Sequence, residues 1–137
     1  MKSPLYDSVN RLAIEIVNAS AAEDEKTLEK GYDELRKLCF KNENTEKDHP
    51  LQWEALGDFS ASNTDSIASY EKGLIAARNL HLPEYEASIL FAMAEANLDE
   101  GDLHSAVQFA SEASQISHKD TELAEVIHGF VKELGTA

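Results

Sequence analysis

The chain has 137 residues, with 26 Asp+Glu against 12 Lys+Arg, a formal charge of −14 at pH 7 and 42% hydrophobic residues. That apolar share is globular, so the acidity belongs to a folding domain and not to a disordered tail. The charge argues against nucleic acid, whose phosphates demand Lys and Arg, and against anionic membrane surfaces.

Other classes fall on local features. Cys39 is the single cysteine, which excludes an intramolecular disulfide framework and a Cys-based zinc site. No apolar run approaches the roughly 18 residues of a membrane span. Residues 1–7 lack the apolar core of a secretion signal, so a cytoplasmic protein is expected. The charge is unevenly placed: residues 1–78 hold 15 acids and 10 bases, whereas residues 79–137 hold 11 acids and two bases, Lys119 and Lys132. Such an excess either solubilises a surface or attracts a basic partner.

Pro4, Pro50 and Pro83 each stand where an apolar-periodic stretch begins, a position at which the missing N–H costs nothing. Strand signals are poor, and no Asn-Gly or Asp-Gly turn occurs, so the fold class is all-α. Helix one is predicted over about 4–21, with Leu5, Val9, Leu12, Ala13, Ile16 and Ala19 as its stripe. Helix two, about 24–41, carries Leu28, Tyr32, Leu35, Leu38 and Cys39, with Asp24 as its cap. The polar stretch 41–48 is the one plausible linker.

Helix three, about 50–60, carries Leu51, Trp53, Leu56 and Phe59. Helix four, about 63–80, opens at Asn63 or Thr64 and carries Ile67, Tyr70, Leu74, Ala77 and Leu80. Helix five, about 83–99, carries Ile89, Leu90, Met93 and Ala94, and Gly101-Asp102 is a stop followed by a cap. Helix six, about 102–117, carries Leu103, Ala106, Val107, Ala110 and Ala113. Helix seven, about 120–134, opens at Asp120 or Thr121 and carries Leu123, Val126, Ile127, Phe130, Val131 and Leu134. Short connections make sequential helices antiparallel neighbours, which groups six of them into hairpins at about 4–41, 50–80 and 83–117 within a single domain.

An internal repeat runs through the chain. Ser66-x3-Tyr70-x2-Gly73 recurs as Ala106-x3-Ala110-x2-Ala113, and Trp53-x2-Leu56-Gly57 recurs as Leu90-x2-Met93-Ala94. A large knob on one helix needs a small hole on the next, so the pattern is a packing rule.

These residues resemble the tetratricopeptide repeat, with its W-x2-L-G-x2-Y first helix and A-x3-F-x2-A second helix. Trp53, Leu56 and Gly57 match the first signature; Ala106 and Ala113 match the second, twelve residues after Ala94. Ser60 and Asn97 stand at the tyrosine position, and Ala110 replaces the aromatic. The resemblance covers about residues 50–117 and reaches residues 1–49 by helix count and spacing. It implies a right-handed α-solenoid of three hairpins, with helix seven as the cap such arrays require. A plain helical bundle is the alternative architecture.

No catalytic signature is present: there is no phosphate-binding Gly loop, no G-x-S-x-G and no H-E-x-x-H. His49, His81, His104, His118 and His128 are scattered singly, at solvated positions or helix ends, so neither a metal nor a cofactor is expected. Cys39 reads as a small buried hydrophobe, although Arg36 and Lys37 leave a reactive thiol open. Glu54 with Asp58, and Glu95 with Asp99, are acid pairs at helical spacing, and each offers only two carboxylates to a metal.

The resemblance gives these acids a further meaning. The family's groove positions follow the bulky residue by one and by five. They fall on Glu54 and Asp58 after Trp53, and on Phe91 and Glu95 after Leu90, with Asp99 continuing the face. Where some members hold a carboxylate with Lys and Asn, this chain has acids. The expected function is therefore a non-catalytic protein-interaction module whose acidic groove takes a basic or amphipathic segment, with Phe91 as apolar anchor. The alternative is a secretion-type chaperone or regulator holding a client, which predicts a homodimer joined through its first helices.

Overall fold

The structure, a computed structural model, describes residues 2–117 and 121–136. Among the described residues there are seven α-helices and no strand: α1 Tyr6–Ala21, α2 Glu25–Asn42, α3 Pro50–Phe59, α4 Asn63–Asn79, α5 Pro83–Asp99, α6 Leu103–Ile116 and α7 Thr121–Thr136. None of the helices is long and apolar enough to cross a membrane.

Capping chemistry sets most of these boundaries. The side chains of Asp24, Ser62 and Asp102 accept the backbone N–H of Thr27, Asp65 and Ser105, at 3.2, 3.2 and 3.0 Å. Each thereby satisfies a donor that the first helical turn leaves without a partner. Pro50 and Pro83 open α3 and α5 as expected. Pro4 does not open α1: it lies in a turn closed by Tyr6 N–H on Ser3 O at 3.1 Å, and the helix starts after it. The cap of α4 is Ser62, one residue before the expected Asn63. Of the expected caps of α7, Asp120 and the side chain of Thr121 lie outside what the structure describes.

Three corners, α1–α2, α4–α5 and α5–α6, are built alike. The last helical turn closes with Asp24 N–H on Ala19 O, Leu82 N–H on Ala77 O and Asp102 N–H on Asn97 O, at 2.8, 2.9 and 2.9 Å. The donating residue is in each case also the N-cap of the next helix. The residue before it takes the left-handed conformation these closures need: Glu23 (φ 57°), His81 (φ 56°) and Gly101 (φ 81°).

Each helix packs against the next in sequence, and α3 also touches both α1 and α5. Two apolar cores result. One gathers Val9, Leu12 and Ile16 of α1 with Leu35 and Cys39 of α2 and with Trp53 and Leu56 of α3. The other gathers Tyr70 and Leu74 with Ile89, Leu90 and Met93, the alanines Ala94, Ala110 and Ala113, and Ile127 of α7. Ala106 is also fully buried, so α6 presents a row of small residues to its neighbours. Leu123, Phe130 and Val131 complete the α7 face that covers this second core. Leu80, Leu103 and Val126 were expected on apolar stripes but are about half exposed. Leu80 and Leu103 stand at helix ends, and Val126 lies a helical step of about 100° from the buried Ile127.

Trp53 joins the two halves. Its indole N–H donates to Asp48 Oδ1 at 2.7 Å, and Phe40 of α2 stands edge-on at 5.2 Å between centroids. Lys72 of α4 lies 5.6 Å above the indole and pairs with Glu43. A Cβ at Gly73 would come within 3.0 Å of Trp53 Cβ, and one at Gly57 within 2.4 Å of the Tyr70 ring. The repeated small positions are therefore holes for specific knobs. Gly57→Ala is expected to destabilise the fold by about 1–3 kcal/mol through overpacking, although Ala is the better helix former. Urea unfolding of the two proteins measures the difference.

Candidate functional site

Burying Trp53 decides where its successors point. Glu54 is the next residue, and Asp58 follows one turn later on the same face of α3. On α5 Phe91 and Glu95 take the matching places, and Asp99 follows Glu95 one turn later. The structure brings Asp58, Glu95 and Asp99 together around a groove of about 310 Å³ between α3, α4 and α5, with Ser60, Asn63 and Tyr70 also on its walls. Glu54 lies farther along α3, half buried, and accepts the Ser88 hydroxyl at 2.6 Å, which ties α3 to α5. Tyr70 O–H donates to Asp58 Oδ1 at 2.6 Å. The partners of Glu54 and Asp58 are thus hydroxyls, which orient a carboxylate without neutralising it.

Phe91 does not join this groove. It packs edge-on against Phe130 of α7, with centroids 5.2 Å apart, and belongs to the second core. The structure offers apolar surface elsewhere. A crevice of about 490 Å³ opens on the other side of Asp58, between the C-terminal half of α1, the start of α2 and the end of α3. Val17, Ala21, Leu28 and Phe59 line it, and Asp58 stands on its rim. No repeat position marks these residues. The one sequence signal is a second apolar face on α1, where Ile14 and Val17 are more than half exposed.

The electrostatics follow first from burying carboxyls between packed helices, and then from the like charges beside them. Desolvation raises the Glu54 carboxyl above the usual range; the Ser88 hydrogen bond opposes this and the Asp58 charge adds to it. Asp58 is raised by desolvation on its packed side, against the stabilising Tyr70 bond, while its outer side stays open to solvent. Glu95 is raised by desolvation and then by the charges of Asp99 and Asp58. The phenol of Tyr70 is pushed far up, first by burial and then by the carboxylate it binds.

The remaining titratable candidates are structural. Cys39 is fully buried, donates to Gln52 O at 3.3 Å and has its thiol pushed up to about 12 by burial, so it is no thiolate at neutral pH. His49 is not simply solvated: it is half buried, its Nδ1 accepts Leu51 N–H at 3.0 Å, and it stands edge-on to Tyr85 at 5.1 Å. His81, His104 and His128 are exposed, and His118 lies outside the described residues. Among the described residues no cluster of three His, Cys, Asp or Glu side chains is arranged to hold a metal ion.

No family model, curated protein or solved structure matches the chain.

The raised carboxyls fix a sign. A carboxyl with a higher pKa in the folded chain keeps its proton where the unfolded chain has released it, so its contribution to stability falls as pH rises through that window. At neutral pH the acidic groove costs stability, and the cost fades as pH falls toward the ordinary Glu value of 4.5. Glu95→Gln should stabilise the protein by about 0.2–0.5 kcal/mol near pH 7, the size of a relieved i,i+4 like-charge pair. The gain should shrink toward zero near pH 4.5. Thermal unfolding of both proteins across this range measures it; a gain independent of pH would mean that Glu95 carries no such strain.

Proposed function

We propose that the chain is a non-catalytic protein-interaction module, a small tetratricopeptide-like solenoid that receives a basic or amphipathic segment on its acidic groove. The hairpins α1–α2, α3–α4 and α5–α6 would stack in a right-handed array, with α7 as its terminal cap. Helix-to-neighbour packing and the contacts of α3 with α1 and α5 support that arrangement. So do the paired knobs and holes at Trp53–Gly73 and Gly57–Tyr70.

One observation carries the functional reading: acids from two different helices, Asp58 on α3 and Glu95 and Asp99 on α5, converge on one open groove. Like charges gathered this way cost folding energy, and a cationic partner returns it. The open groove also leaves Glu95, Asp99 and the outer side of Asp58 accessible to Lys or Arg, which bind carboxylates by charge-assisted hydrogen bonds. The expected partner is a protein or peptide, with no role for nucleic acid or a membrane surface, and the place of action is the cytoplasm.

The test is a fluorescein-labelled short peptide in which Leu and Arg recur on a Ser/Gln background, titrated with the full chain. Glu95→Lys with Asp99→Lys, both exposed positions, should weaken binding by about tenfold. The double variant should also flatten the loss of affinity that salt causes in the parent. Equal affinity and equal salt dependence in the two proteins would refute the groove assignment.

A further inference from the structure

Asp58 is shared by two crevices on opposite sides of α3. On one side α1, α2 and α3 enclose the apolar crevice of about 490 Å³; on the other α3, α4 and α5 enclose the acidic groove of about 310 Å³. The two are placed alike, each between one hairpin and the first helix of the next. They differ in chemistry: Val17, Leu28 and Phe59 dominate the first, Asp58, Glu95 and Asp99 the second. Phe91, the aromatic nearest the acids in sequence on α5, is already committed to Phe130.

Resting on the groove reading above, we propose that the apolar anchor of the bound segment sits in the Val17–Leu28–Phe59 crevice, while a Lys or Arg of the same segment crosses Asp58 to reach Glu95 and Asp99. The occupant is thus a segment with one large aliphatic or aromatic side chain and one cationic side chain at a defined separation. Charge complementarity selects it. An apolar side chain alone gains nothing from the acids across the rim, and an acidic segment meets Asp58 at the mouth of the crevice. Adjacent helices pack about 8–10 Å apart. An extended chain covers that distance in about three residues at roughly 3.3–3.6 Å each. The recognition element is therefore an apolar and a basic residue about three positions apart in an extended segment.

Val17 is 54% exposed, so it can be changed without opening a core. The experiment compares four labelled short peptides on the full chain: the parent with Leu and Arg three apart, its Leu→Ser form, its Arg→Gln form, and a form with Leu and Arg adjacent. The parent should bind best; the Leu→Ser form and the form with altered spacing should lose about tenfold, the value of one partly buried aliphatic side chain, and the Arg→Gln form about twofold to fivefold, the value of one exposed charge pair. Val17→Ser in the protein should reproduce the Leu→Ser loss and add little to it, because both remove the same contact. Ala21→Lys, which places a cation at the crevice, is a second variant with the same expected loss.

If Arg→Gln weakens binding but Leu→Ser, the altered spacing and both protein variants do not, the crevice is not the anchor site and the groove reading stands alone. If none of the peptides binds, or Arg→Gln changes nothing, both readings fall. Sedimentation of the full chain supplies the remaining outcome. A dimer that Val17→Ser dissociates would show that a second copy covers the crevice, which also overturns the proposal.

Discussion

Trp53 is the constraint on which the other features depend. It is 1% exposed, yet its indole N–H must find an acceptor, because burying an unmet donor costs more than a hydrogen bond returns. Asp48 meets that need, and so the polar stretch between the first and second hairpins is held against α3 by a side chain. Phe40 and Lys72 cover the ring from α2 and α4, and Gly73 leaves room for its Cβ. One residue thereby sets the position of three helices and a loop. The rotation of α3 follows, and with it the direction of Glu54 toward Ser88 and of Asp58 toward the groove.

The site inherits its character from that packing. A helix that buries Trp53, Leu56 and Gly57 has one remaining face free toward α5 and another toward α1. Acids occupy the first; the second is bounded by the apolar half of α1. Hydroxyls from Ser88 and Tyr70 fix the geometry of two acids across helix boundaries while leaving their charge uncompensated. Charge and stability are in tension here: burial, and then the charges of Asp99 and Asp58, hold the Glu95 carboxyl above its ordinary range.

Much of this could be read from residue spacing. Apolar positions at three and four residues, Pro50 and Pro83, and the Gly101-Asp102 stop marked the helices, because amphipathicity and capping are local properties, whereas Pro4 pointed to a start that lies in a turn. The Trp53, Gly57, Tyr70 and Gly73 pattern announced knobs and holes, and the acids at Glu54, Asp58, Glu95 and Asp99 were visible as helical pairs. What stayed hidden depended on which neighbour arrives. Phe91 could face a groove or the last helix, and only the placement of Phe130 decides. Val17 and Ile14 on α1 are indistinguishable by type from core residues, and their exposure shows only in the structure, where Val17 lines an open crevice instead of a closed core. His49 read as a solvated residue at a helix end; its role as a cap requires knowing that its Nδ1 accepts Leu51 N–H. Leu80 and Leu103 kept the apolar period but stood too near helix ends to meet a partner.

The repeated corner has a consequence of another kind. Its geometry is written in main-chain hydrogen bonds, so it tolerates any residue that will accept the left-handed conformation. Of the three, only Gly101 does so freely; Glu23 and His81 are held there against a steric cost of roughly 1 kcal/mol. Neither residue touches the acidic groove or the apolar crevice as a lining group. The chain therefore carries an untapped reserve of robustness in two of its joints. That reserve is separate from the surfaces that would recognise a partner, so the scaffold can be hardened, or softened, without rewriting its specificity.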